Sequence, residues 1–228
     1  MRDGTAYVGF GIYTLAEAAR LSGVSPQRIR RWLVGYKYSH LEEVRSQPPV
    51  FRGQIEPFGS KLELGFRDLL DVRVVNALIG AGLGLPTIRK AFIRASEVIE
   101  NDHPFTTVRF QTDGRAIFLE IEADDDPILM DLLKGQYAFK RIVEPSLKNV
   151  EFSGGEAIRW WPLTQKRSIV LDPQISFGQP IVRRAGIPTS TLDQALKVEG
   201  SIHRVANIYK VNIEEIRDAV EFERSLAA

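Results

Sequence analysis

Tyr13-Thr14-Leu15-Ala16-Glu17-Ala18-Ala19-Arg20-Leu21-Ser22-Gly23-Val24-Ser25-Pro26-Gln27-Arg28-Ile29-Arg30-Arg31-Trp32-Leu33 is the stretch whose local signals decide the N-terminal fold. Thr14 and Glu17 have the spacing of a capping box, in which each side chain satisfies a backbone N–H that the first helical turn leaves unpaired. A helix therefore starts near Leu15, with Leu15, Ala18, Ala19 and Leu21 on its apolar side. Ser22-Gly23 ends it, because glycine takes the left-handed conformation that reverses the chain. Ser25 caps a second helix, and Pro26 at its first position loses no hydrogen bond. Ile29, Trp32 and Leu33 recur at helical spacing and face inward, which leaves Gln27, Arg28, Arg30 and Arg31 outside. Two short helices around a tight turn, the second with a basic outer face, form a helix-turn-helix whose second helix suits the edges and phosphates of a DNA major groove.

Charge is distributed accordingly. Arg20, Arg28, Arg30, Arg31, Lys37, Arg45 and Arg52 face only Glu42 and Glu43 between positions 20 and 52, a local +5 in a chain whose net charge is +1. Such a patch releases counterions from a phosphate backbone and supplies salt-sensitive affinity on which base contacts can build. Ser25, Gln27, Arg28, Arg30, Arg31 and Lys37 are the candidate DNA-binding residues. Gln47–Arg52 and Ile55–Phe58 read as extended pieces joined by a turn, a wing from which Arg52 and Lys61 would reach phosphates.

Composition bounds the rest. With 228 residues, 44% hydrophobic and 26% charged, the chain can bury a sizeable core. The absence of cysteine excludes disulfides, cysteine-ligated zinc and a thiol nucleophile. No signal-like or membrane-spanning run is present in the sequence, which favours the cytoplasm and no membrane partner.

Apolar periodicity predicts a helix from about Leu64 through Ile79, a glycine-rich stop at Gly80–Gly84, and a helix from Pro86 to Ile99. With Phe66-Arg67-Asp68-Leu69-Leu70-Asp71-Val72-Arg73 and Ala81-Gly82-Leu83-Gly84-Leu85-Pro86-Thr87-Ile88-Arg89 in place, roughly residues 12–95 resemble the winged-helix head of the MerR regulator family. The resemblance implies DNA binding but neither metal nor redox sensing.

The middle reads differently. Phe105–Phe110 and Ala116–Ile121 flank Asp113-Gly114, the signal of a β-hairpin. Pro127–Leu147 has helical spacing, and Ala157–Leu163 suggests a strand. Ten acidic residues against two basic ones between Glu97 and Asp131 give this region −8, which repels DNA. Asp124-Asp125-Asp126 is better explained by carboxylates at a helix N-terminus than by a cation site, so neither metal nor cofactor is expected.

Residues 166–228 combine extended segments at Ser168–Pro173 and Phe177–Val182 with three helices. Gly200-Ser201 stops one helix and starts the next, and Asn212 with Glu215 caps the last. The order Leu171-Asp172-Pro173, Phe177-Gly178-Gln179-Pro180, Gly186-Ile187-Pro188-Thr189, Tyr209-Lys210-Val211 and Ile216–Glu223 resembles a family of small, otherwise uncharacterised domains common among antitoxins of bacterial toxin–antitoxin operons. Its Thr189–Glu223 stretch carries −3, which assigns it to oligomerisation or partner contact rather than to DNA. Joined to a MerR-like head, it is similar to the longer VapB-type antitoxins, encoded with PIN-domain ribonucleases.

The expected fold class is α+β: a winged helix-turn-helix at 1–98, a small mixed α/β domain at 99–165, and a three-helix, helix-turn-helix-like module with N-terminal extended segments at 166–228. The resemblance implies a non-enzymatic antitoxin that neutralises a PIN-domain, VapC-like toxin encoded by the adjacent gene and autorepresses its operon as a homodimer on operator DNA. Arg183, Arg184 and Arg224 are the candidate toxin-binding side chains, since a PIN nuclease holds Mg²⁺ on clustered carboxylates. A MerR-like ligand-responsive regulator without a toxin and a protein-binding adaptor are the alternatives. Catalysis finds no constellation: His40, His103 and His203 fall in separate predicted domains, and Gly80, Gly82 and Gly84 follow a helix rather than the strand that a dinucleotide fingerprint requires.

Overall fold

The computed structural model describes residues 9–40, 43–57, 59, 61–121, 138–163 and 165–226. In chain order these form β1 (Tyr13–Thr14), α1 (Leu15–Ser22), α2 (Pro26–Val34), β2 (Tyr36–His40), β3 (Glu43–Gln47), β4 (Glu63–Leu64), α3 (Phe66–Gly80), α4 (Leu85–Ile99), α5 (Val108–Glu120), α6 (Ala138–Val143), β5 (Val150–Ser153), β6 (Glu156–Trp160), β7 (Ile169–Val170), β8 (Ile181–Val182), β9 (Ile187–Pro188), α7 (Thr189–Glu199), α8 (Ile202–Tyr209) and α9 (Ile213–Ser225). The fold is mixed α+β, with helices dominant and sheets of two or three short strands. No described helix is long and apolar enough to cross a membrane.

Two compact units divide the chain. One comprises Thr14–Lys148 and Phe152–Ala157, the other Met1–Tyr13, Asn149–Glu151 and Ile158–Ala228. Residues 99–121 thus fall in the same unit as α1–α4.

In the larger unit the expected caps form. Thr14 Oγ1 accepts from Glu17 N–H at 3.2 Å and the Glu17 carboxylate accepts from Thr14 N–H at 2.8 Å, while Gly23, at φ 69°, closes α1 by donating its N–H to Ala19 O. α3 is buried nearly all round, with Phe66, Leu69, Leu70, Val72, Val74, Val75 and Leu78 in the core. An aromatic row crosses this core: Phe51 stacks on Phe92 with ring centres 5.6 Å apart, Phe92 meets Phe105 edge-on at 5.0 Å, and Phe105 meets Phe110 at 4.4 Å.

That row explains a correction. Val108–Glu120 is a helix, not the strand, Asp-Gly turn and strand that local signals predict. Thr107 caps it by accepting from Phe110 N–H at 3.1 Å, and Arg109 pairs with Asp113 one turn on at 3.4 Å. Phe110, Ile117 and Phe118 share a helical face and are all buried, which an extended chain of alternating sides would not achieve. Gly114 is buried inside the helix, at a cost of about 0.5–1 kcal/mol relative to alanine, which burial of three large side chains outweighs. Of the expected helix at 127–147, Ala138–Val143 and a 3₁₀ turn at Glu144–Leu147 are described, and Asp124-Asp125-Asp126 lies outside the described residues.

The hairpin is also displaced from the expected place. The antiparallel hairpin is β2–β3, with Tyr36 opposite Gln47 and His40 opposite Glu43, so it follows α2 directly instead of lying at 47–58. Pro48 lacks the N–H that a ladder needs. The Pro48 and Pro49 carbonyls instead accept from the Arg89 guanidinium on α4, at 2.8 and 2.9 Å.

The smaller unit is built on the antiparallel sheet β7-β8-β9, with Ile169 opposite Val182 and Ile181 opposite Pro188. Trp161, Val170 and Ile181 cluster in its core, and Trp160 exchanges both backbone hydrogen bonds with Leu171. Ser201 and the Asn212–Glu215 box start α8 and α9 where expected. Buried Thr189 Oγ1 donates to Glu223 Oε1 at 2.5 Å, tying α7 to α9.

Phe110→Ala should lower the stability of the full chain by about 3–5 kcal/mol in urea unfolding. Exposed Ile93→Ala on α4 should change it by less than about 0.5 kcal/mol.

Candidate nucleic-acid interface and a buried carboxylate cluster

Ser25 Oγ accepts from Arg28 N–H at 3.4 Å, and Pro26 opens α2. Ile29, Trp32 and Leu33 are buried, whereas Gln27, Arg28, Arg30 and Arg31 are exposed, the division that the sequence predicts. Two of the arginines are oriented by aromatic rings. The Arg28 guanidinium lies 5.1 Å from the ring centre of Trp32, and that of Arg31 lies 5.0 Å from Tyr36 on β2. Stacking leaves the rim donors of each guanidinium in solvent while restricting its rotamers.

The hairpin adds exposed Lys37 and Arg45 beside this helix, with Tyr36 and Tyr38 rings 5.9 Å apart on one strand face. Arg45 pairs with Glu43 at 3.4 Å. Gly35 joins α2 to β2 at φ 73°, and a Cβ there would lie 2.3 Å from the carbonyl oxygen of Gln47. Val50 N–H, donating to Trp32 O at 2.7 Å, fastens the far end of the hairpin to α2. Ser25, Gln27, Arg28, Arg30, Arg31 and Lys37 are thereby gathered on one helix and the strand that follows it. Arg52 is engaged with Glu56 at 3.1 Å, and Lys61 is exposed immediately before β4.

In the smaller unit, Arg183 and Arg184 follow β8 and Arg224 sits in the last turn of α9, all three exposed. Arg183 is held over Trp161, its guanidinium 5.1 Å from the ring centre, and Arg167 lies 5.4 Å from the same ring.

A second constellation escaped the sequence reading. Asp68 and Asp71, one turn apart on α3, are wholly buried and meet His103. His103 Nδ1 lies 2.8 Å from Asp71 Oδ2 and 3.7 Å from Asp68 Oδ1. The Asp68 carboxylate also accepts from Gln54 N–H at 3.0 Å and Gly65 N–H at 2.8 Å. Around this centre, Gln54 Oε1 accepts from Arg67 N–H, the Arg67 guanidinium grips Glu156 in a two-pronged ion pair, and Asn101 donates to Glu156 at 2.9 Å.

Burial pushes the Asp68 carboxyl up to about 7, against the pull of His103 and of the two backbone donors. Burial likewise raises Asp71, although its hydrogen bond to His103 opposes the shift. At His103, burial disfavours the imidazolium, but the bond and charge of Asp71 prevail and the net shift is upward. The available signal was two aspartates at i and i+3 on a helix with apolar residues on every side. Their partner lies 32 positions away from Asp71 and could not be inferred.

Residues 169–222 match the family model described as "Protein of unknown function (DUF433)". Over 92% of its length the chain is 29% identical to a protein of Mycobacterium tuberculosis (strain ATCC 25618 / H37Rv) named "Putative antitoxin VapB45", 92% of which is covered. The chain is a homologue of that protein. A crystal structure, that of Rv2018 from Mycobacterium tuberculosis, superposes with a TM-score of 0.67 at 26% identity, covering 91% of this chain and 96% of the other. The likeness to VapB45 thus extends well beyond residues 169–222.

Gly35→Ala should destabilise the larger unit by at least about 1–2 kcal/mol, the cost of a left-handed non-glycine residue before any clash is added. Gly80→Ala, where a Cβ meets nothing within 4 Å, should be neutral or stabilising. Urea unfolding of both variants checks the pair.

Proposed function

We propose that this chain is the antitoxin of a type II toxin–antitoxin pair, which neutralises a PIN-domain, VapC-like ribonuclease and represses its own operon by binding DNA. The observation that carries this reading is the likeness to VapB45 over nearly the full length of both chains, because a shared DUF433 segment alone would leave the N-terminal half without a function.

In this reading the larger unit is a MerR-like winged helix-turn-helix. α2 enters the major groove with Gln27, Arg28, Arg30 and Arg31, and the β2–β3 hairpin is the wing that brings Lys37 to the backbone. Stacked guanidinia suit base recognition, since their planes are fixed while their outer N–H groups point to solvent. A homodimer would place two such heads on paired half-sites. The smaller unit contacts the toxin through exposed Arg183, Arg184 and Arg224, of which Arg183 is held over Trp161 with its outer donors in solvent. The protein performs no catalysis and works in the cytoplasm beside its operon.

Co-expression with the adjacent open reading frame, followed by co-purification and gel shift on the shared promoter, tests both halves of the proposal. A stable complex with a PIN-like protein and a promoter shift are expected. A shift without a partner would replace this reading with that of a ligand-responsive regulator. Arg31→Ala should weaken promoter binding by about 1–3 kcal/mol at fixed salt if its guanidinium reads a guanine. Arg52→Ala, whose charge is already shared with Glu56, should change affinity by less. An Arg31→Ala isotherm that coincides with wild type would remove Arg31 from the interface.

A further inference from the structure

Asp68, Asp71 and His103 bring two carboxylates and an imidazole into the core of the larger unit, and one ligand-capable atom of each lies within 4.8 Å of the others. His103 Nδ1 is hydrogen-bonded to Asp71 Oδ2 at 2.8 Å and lies 3.7 Å from Asp68 Oδ1, so an ion that displaces the shared proton would find all three atoms close to coordination distances of about 2.0–2.2 Å. Asp71 Oδ1 is buried and has no hydrogen-bond partner, one of two such side-chain atoms among the described residues. A carboxylate oxygen stripped of water and left unpaired is costly, and a cation is the group that compensates it. The neighbouring guanidinium does not serve, because Arg67 is committed to Glu156.

We propose that these three side chains form a structural site for one divalent transition-metal ion, with zinc and manganese the best matches. An imidazole nitrogen among the ligands disfavours magnesium and calcium, which take oxygen, and the absence of thiolates disfavours copper(I). The surroundings are those of a fixed site. Gln54 and Gly65 N–H groups orient the Asp68 carboxylate, and the His103 backbone is held by its N–H bond to Asn101 Oδ1 at 2.8 Å and by Thr106 Oγ1 donating to its carbonyl at 2.9 Å. Complete burial of both carboxylates suits a structural ion, not one that exchanges substrate. Such an ion clamps the first turn of α3 to the segment carrying His103, and through Asp68 to the Gln54–Gly65 connection behind the hairpin.

The full-length protein, stripped with chelator and dialysed, is titrated with Zn²⁺, Mn²⁺ and Mg²⁺ by calorimetry, metal content is measured after gel filtration, and thermal melts are recorded. Zn²⁺ or Mn²⁺ should be retained at about one ion per chain and raise Tm, with Mg²⁺ giving neither effect. His203→Gln, on the exposed face of α8, should retain the ion. Asp71→Asn and His103→Gln should lose it. Wild-type Co²⁺ absorption gives an independent readout that does not depend on the buried variants folding: a visible band of tetrahedral intensity supports the site. Uptake by stripped wild type below about one-tenth of an equivalent for zinc, manganese and cobalt, with an unchanged Tm, would overturn the proposal. Full stoichiometric retention by folded Asp71→Asn would overturn it equally.

Discussion

The carboxylate of Asp68 is the point on which the larger unit is assembled. It sits in the first turn of α3 and accepts from Gly65 N–H, satisfying a donor that the helix start leaves unpaired, and it accepts from Gln54 N–H on the approaching chain. One buried carboxyl group thus fixes where α3 begins and how the connection from the hairpin returns to it. Water cannot replace these bonds, because Asp68 has no exposed surface. Loss of the carboxylate would strand two backbone donors, which is more costly than the bonds themselves are favourable. The neighbouring Asp71–His103 pair extends the same polar centre to the segment preceding α5, and the aromatic row from Phe51 to Phe110 packs over that segment.

The basic face depends on this interior. α2 is two and a half turns long, short enough that its position comes from its neighbours more than from its own propensity. Ile29, Trp32 and Leu33 anchor it, Gly35 turns the chain directly into β2, and Arg89 draws the two prolines after β3 back against α4. Arg28 and Arg31 are aimed by rings that the same packing places beneath them. Stacking of this kind restricts the rotamers of the two guanidinia and leaves their outer N–H groups in solvent.

Signals that act over a few residues were legible. The Thr14–Glu17 and Asn212–Glu215 boxes, the Ser25-Pro26 start, the left-handed stops at Gly23 and Gly200, and the exposed face of α2 all follow from hydrogen-bond supply and backbone sterics within one turn. Three features were not legible. Prolines and turn residues at Gln47–Phe58 place the hairpin there, because nothing local shows that Arg89 claims the Pro48 and Pro49 carbonyls. Asp113-Gly114 is a strong hairpin signal and implies strand, turn and strand over Phe105–Ile121, whereas the spacing of Phe110, Ile117 and Phe118 gains its meaning from the phenylalanines against which the helix packs. His103 falls in a different predicted domain from Asp68 and Asp71, and no local signal joins residues 32 positions apart.

Local sequence settles where α1, α2, α8 and α9 start and which side chains of α2 meet solvent, through φ preferences, capping donors and apolar period within a few residues. Only the tertiary structure decided that Val108–Glu120 is helical, that β2 and β3 are the paired strands, and that two aspartates and a histidine share one buried site. Burial is a property of which surfaces meet, and the meeting partners here range from neighbours in one hairpin to the Asp71–His103 pair 32 positions apart, so their joint free energy overrides local preferences that are individually worth about 1 kcal/mol or less.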